Sequence, residues 1–189
     1  MRRIGYFLTA LAAVAVMAAG CERDVISLVD PTGSGSEGGS DDISETNFST
    51  AVSVVFSNSG SATVSGADDD FAVTVSGNDV TIVYTGDTVV MYTLSGATSD
   101  GFFKLYSSRK QGITLSNVSI TNKNGAAVNV QGTPAEPARG KRTFVVLEGS
   151  STLADGPSYT GTPSTEDEKA AFFSEGQLIF SGSGSLTVN

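Results

Sequence analysis

The side chains that could do chemistry fall into one basic and one acidic stretch. Between Gly101 and Arg142 stand Lys104, Arg109, Lys110, Lys123, Arg139, Lys141 and Arg142, against the single acid Glu136. Aligning Ile113-Thr114-Leu115 with Phe144-Val145-Val146 sets the pair Arg109-Lys110 almost one strand away from Lys141-Arg142. Neighbouring strands lie about 4.8 Å apart, so cations stacked in this way repel one another unless an anion lies between them. Lys104, Arg109, Lys110, Arg139, Lys141 and Arg142 are therefore candidates for gripping the carboxylates of an anionic chain. The same residues also read as solvated corner positions whose long side chains splay apart.

The acidic stretch follows. Asp155, Glu166, Asp167 and Glu168 lie in a loop-like segment and could give a calcium ion some of the six to eight hard oxygen ligands it takes. No DxDxDG loop is present, and a solubilising acidic loop has the same composition. Asp68-Asp69-Asp70 reads as a turn.

Nucleophilic and general-base chemistry is nearly empty. The chain contains no histidine, which excludes a Ser/His/Asp triad, an imidazole base and an HExxH zinc site. Its glycine-rich stretches lack the lysine and helix of a phosphate loop. Two routes stay open: paired carboxylates such as Glu148 and Glu175 for glycoside hydrolysis, and a basic residue such as Arg109 or Arg142 for β-elimination.

The elements that must position these groups are strands. The 189 residues include 22 glycines and no tryptophan, and Ser, Thr and Val are abundant, which is an all-β composition. Ile113 to Val130 reads as two short strands around Ser116-Asn117, a turn at Asn122 to Gly125, and a third strand. The pattern returns: Leu94-Ser95-Gly96, Leu115-Ser116-Asn117, Leu147-Glu148-Gly149 and Phe180-Ser181-Gly182 each close an apolar strand at a polar or glycine corner. Ala126-Ala127 reappears as Ala170-Ala171. Such self-similarity predicts a solenoid whose units bury their core against one another. Residues 48–88, alternating and cut by turns, are expected to form an N-terminal β cap, with the solenoid over 89–189. Pro134 to Gly140 and Ala154 to Glu168 look like loops thrown out from corners. The last strand pattern ends uncapped, so a longer natural chain is expected.

The N-terminus predicts a destination. Arg2 and Arg3 precede an apolar run ending in Ala18-Ala19-Gly20-Cys21, a pattern that resembles a bacterial lipobox and implies a signal peptide over 1–20 and a lipidated Cys21. The run is too short to be a spanning helix. Residues 21–47, rich in Gly, Ser and Asp, cannot build a core and are expected to be a disordered linker acting as a flexible tether. The expected location is the bacterial cell envelope, its outer surface included, with membrane contact through Cys21 only. The net charge of −9 argues against nucleic acid as a partner.

Together LSGATSDG, LSNVSITNKNGAAVNV, LEGSSTLADGPSYT, EKAAFFSEGQLIF and SGSGSLTV resemble a family of secreted bacterial carbohydrate-binding proteins. The resemblance spans roughly Val89 to Val188. It implies a right-handed parallel β-helix of the pectate-lyase type, binding of acidic pectic polysaccharide, and bound calcium, with Asp155-Gly156, Tyr159 and the acids before Ala170-Ala171 matching the family's loop. Three functions are then to be separated: a polysaccharide-binding module that does no chemistry, a lyase or hydrolase betrayed by unsaturated product or new reducing ends, and a structural surface protein or adhesin that retains no glycan.

Overall fold

A computed structural model describes residues 42–133 and 142–189. After a 3-10 turn at Ile43–Glu45, the described residues form β1 (Thr50–Phe56), β2 (Thr63–Ser65), β3 (Phe71–Ser76), β4 (Asp79–Tyr84), β5 (Val90–Thr98), β6 (Phe102–Tyr106), β7 (Gln111–Ser116), β8 (Ser119–Thr121), β9 (Val128–Gln131), β10 (Thr143–Glu148), β11 (Ser150–Ala154), β12 (Phe172–Ser174), β13 (Leu178–Gly182) and β14 (Ser185–Val188). The all-β reading holds, and the alternation of Val52, Val54 and Phe56, or of Val80, Ile82 and Tyr84, falls on buried positions of β1 and β4.

The right-handed β-helix with a separate β cap is corrected. The strands form two sheets facing one core in a sandwich-like arrangement. One is nine-stranded, in the order β13-β10-β7-β5-β8-β11-β14 with β1 and β2 joined to it, and the other is β12-β9-β6-β4-β3. Three features overturn the solenoid reading. β5 runs unbroken through the corner where two faces should separate: Val90 to Leu94 pair with β7, while Ala97 and Thr98 pair with β8, so one sheet curls into a half-barrel. β1 and β4 add in parallel to β5 and β6, extending these sheets where a cap was expected. β2 and β3 pair antiparallel with β1 and β4, so both sheets are mixed. The physical cause lies at Gly96. Its φ of +82° bends the strand, and a Cβ there would run into the Phe56 carbonyl, so only glycine lets the chain turn without leaving the sheet.

Lateral files of side chains survive this correction because the central pairings are parallel and in register. Val52, Tyr92, Ile113, Val145 and Phe180 are successive partners across β1, β5, β7, β10 and β13. Val80, Phe103, Val128 and Phe172 form the answering file in the other sheet. Fully burying a side chain of this size contributes about 1.5–3 kcal/mol, and most of these residues lie in one continuous core. The register differs by one residue from the sequence alignment, with Ile113 opposite Val145. The last corner differs by two: Gly182 faces Leu147, and Gly184 closes the turn by donating its N–H to the Leu147 carbonyl.

Candidate functional site

β6 and β9 alternate between core and outer face. Phe103 and Leu105 point inward, as do Val128 and Val130, which leaves Lys104 and Asn129 as register partners on the opposite face. The 155–171 segment, between β11 and β12, lies over that face and carries Glu166 and Glu168 onto it. Lys104 Nζ donates to Glu166 Oε2 at 2.9 Å and stands 3.9 Å from Glu168 Oε1. Asn129 Nδ2 donates to Glu166 Oε2 at 3.2 Å and to Glu168, Tyr106 donates to Glu166, and Thr162 donates to Glu168. Gln131 Nε2 steadies Asn129 through its Oδ1 at 2.8 Å. Burial first, then the hydrogen bond to Glu166, pushes the Tyr106 phenol above its ordinary range. The segment is thus pinned by a buried ionic network.

Beside this network a groove opens between the β3–β4 turn, the start of β6 and the 155–171 segment. Its volume is ≈ 440 Å³, within the range of small-ligand sites. Asp79, Asp100, Phe102, Asn124, Lys104 and Glu168 line it. Its walls are held by backbone. Asn78 accepts from Ser57 N at 3.0 Å and donates to the Ser57 and Gly60 carbonyls at 2.9 and 3.1 Å. Phe102 N donates to the Asn78 carbonyl, an approach made possible by Gly101, where a Cβ would lie 2.5 Å from Asn78 Cβ. Asn122 donates to the Ala126 carbonyl at 2.8 Å and accepts from Asn124 N, fixing the turn that presents Asn124. Lys123 pairs with Asp100 at 3.1 Å. The Asp79 side chain reaches solvent, yet its carboxyl backs against the groove. Desolvation, with the Asp100 charge as a smaller cause, raises its pKa.

The basic residues named from sequence are scattered. Lys104 is buried in the network. Arg109 pairs with Asp87 in the open. Gln111 lies opposite Thr143, which places Lys110 and Arg142 side by side where β7 and β10 begin. Arg142 Nε donates to Gln177 at 3.2 Å. Lys110 makes no ion pair among the described residues. Arg139, Lys141 and Cys21 lie outside the described residues, as does the Pro134–Gly140 segment.

The acids proposed for calcium do not converge on a common point. Glu166 and Glu168 meet at the Lys104 ammonium, which occupies the place a cation would take. Asp167 turns outward to Lys169 at 2.6 Å, and Asp155 accepts from Tyr159. Among the described residues no three acidic or other metal-binding side chains gather around one position. This donor set does not fit a divalent ion. Glu148 and Glu175 fit a hydrolytic pair no better. Glu148 ends β10, while Glu175 precedes Leu178, the partner of Thr143 at the other end of that strand. Five residues of extended chain separate the two ends by ~17 Å, beyond the ~5–9.5 Å such pairs need.

Sequence reasoning passed over Asp79, Asp100, Phe102 and Asn124. Asp79 fell within residues 48–88, read as strands cut by turns, and Asn124 within the turn at Asn122 to Gly125. The faint signal was SDG before β6, since a small residue there permits close backbone approach.

A family profile described as "Carbohydrate-binding domain-containing protein" matches residues 76–189, a span that contains the groove and the Lys110–Arg142 corner. A solved structure described as the polysaccharide lyase-like protein from C. thermocellum, a gadolinium derivative, is similar at a TM-score of 0.56 and 23% identity. The match covers 74% of this chain and 52% of that one, so the chain spans about half the length of that protein. At this identity the likeness is one of fold. No curated protein matches.

Proposed function

The chain belongs to the carbohydrate-binding domain-containing protein family, and from that premise we propose that it binds polysaccharide and does no chemistry on it. The observation that carries the reading is the family match across 76–189. A preformed groove with hydrogen-bonding walls agrees with it.

The finer reading is an acidic, pectic chain running along the corner where Lys110 and Arg142 sit one strand apart. Lys110, which makes no ion pair among the described residues, would meet a carboxylate of that chain. The network around Lys104 removes one of the expected cations from this strip, and Asp87 partly neutralises another. Retention should therefore be weak and should fall with salt. Affinity electrophoresis through a gel containing polygalacturonate tests it: slowed migration that recovers with added salt, and in the double variant Lys110→Gln/Arg142→Gln, is expected. Unaltered migration at low salt would remove the pectic reading. Growth of unsaturated-product absorbance or of reducing ends during the run would remove the non-catalytic one.

Lipid anchoring through Cys21 at the bacterial envelope completes the proposal. It rests on the lipobox-like pattern alone. Labelled palmitate should enter the protein and sediment with membranes; label persisting in Cys21→Ser would contradict it.

A further inference from the structure

Resting on the reading that this chain binds polysaccharide, we propose that the groove at the start of β6 is a subsite for an uncharged sugar unit, stacked on Phe102 and held through its hydroxyls by Asp79, Asp100 and Asn124.

Charge decides against a uronic acid here. The groove presents Asp79, Asp100 and Glu168 against a single lining cation, Lys104. That ammonium is committed to Glu166 and Glu168. Lys123 offsets only Asp100, from the outer side. A sugar carboxylate entering this space would meet the like charges of exposed Asp79 and Asp100 and of buried Glu168. Neutral hydroxyls face the opposite situation. A carboxylate accepts hydrogen bonds at both oxygens and offers no donor, so it suits the O–H groups of an uncharged ring. Asp79 has no hydrogen-bond partner among those described for the groove, and Asn124 Oδ1 has only a 3.5 Å contact from Thr160. Both are open to a ligand.

Stacking decides which wall takes the ring face. Among the tyrosines of the described residues, Tyr84 and Tyr92 are buried, Tyr106 is tied to Glu166 and Tyr159 to Asp155. Phe102 is half-buried, lines the groove and has no polar atom to satisfy. Lys104 Nζ stands over one face of that ring, 5.9 Å from its centroid. The subsite is separate from the basic corner: Phe102 begins β6, and Arg109-Lys110 lie beyond its far end at Tyr106.

The test is titration calorimetry of the full chain with oligosaccharides of cellulose, xylan, galactan and mannan, alongside oligogalacturonate. At least one neutral oligosaccharide should bind, with an affinity that salt leaves unchanged. That affinity should fall tenfold or more in Phe102→Ala and in Asp79→Asn. The second substitution, at a solvent-reaching carboxyl, keeps the test independent of folding. If oligogalacturonate binds while every neutral sugar fails, or if both variants keep full affinity for the neutral ligand, the subsite is refuted and the polysaccharide reading stands. If no glycan of either kind binds, that reading falls together with the subsite.

Discussion

Replacing Lys104 by methionine tests the ionic network that shapes the groove wall. The lysine side chain is 11% exposed, and those of Glu166 and Glu168 are 7% and 4% exposed. At separations of 2.9 and 3.9 Å, an effective dielectric of about 20 gives attractions of ~4–6 kcal/mol each, before the cost of desolvating three charges. Methionine keeps the volume and removes the charge, leaving two carboxylates close together with amide and hydroxyl donors only. Breaking a buried pair from one side costs about 3–5 kcal/mol, a large part of a stability that is ordinarily ~5–15 kcal/mol. With a urea slope of about 2 kcal/mol per molar, the unfolding midpoint should drop by ~2 M. Amide exchange in the 155–171 segment should quicken before that of β6 and β9, because its tether to the sheet is what has been cut. The triple variant Lys104→Met/Glu166→Gln/Glu168→Gln should regain at least half the loss, since no buried charge is then left alone. A single variant within about 0.5 kcal/mol of the parent would refute the reasoning, because it would mean that water already screens these groups.

Three further outcomes follow from the same geometry. Tyr92 has a buried hydroxyl with no hydrogen-bond partner among the described residues, and burial pushes its pKa far above the ordinary range; Tyr92→Phe should leave stability unchanged or raise it by ~1 kcal/mol in urea denaturation. Gly96→Ala should cost about 1–3 kcal/mol by the same measurement, because alanine must adopt a left-handed φ and point its Cβ at the Phe56 carbonyl. The Asp79 carboxyl, followed by carbon-13 NMR, should titrate above its ordinary 3.8. Asp100→Asn should bring it only part of the way back, since desolvation is the larger cause. The folded state holds that proton more tightly than the unfolded chain does. Stability therefore declines as pH rises from 3.8 through the folded value, and Asp79→Asn should flatten that slope.

Strands and corners were legible in the chain because both depend on near neighbours. Alternation at Val52-Val54-Phe56 marks a strand with one buried face whatever lies beneath it. The corners at Gly96, Asn117 and Gly149 were legible because a positive φ admits few residue types. The sheet count was not. Gly96 looks the same in a sequence whether the chain leaves one sheet for another or bends within a single one, and only the pairing of β5 with both β7 and β8 distinguishes them. The removal of Lys104 from the basic strip was hidden for a related reason. Lys104 and Glu166 are 62 residues apart, and nothing local announces that the later loop folds back to neutralise the earlier lysine.

Composition and short-range pattern alone determined that this is an all-β chain without imidazole chemistry, with apolar strands repeating between glycine corners and a lipobox-like start. The tertiary structure alone decided that the strands join into two facing sheets. It also decided that the acids meet a lysine at the point proposed for a metal, and that Asp79, Asp100 and Phe102 share one groove. The physical reason is range. Backbone preference and side-chain alternation act over a few residues, whereas charge pairing and groove formation depend on which distant segments the packing brings into contact.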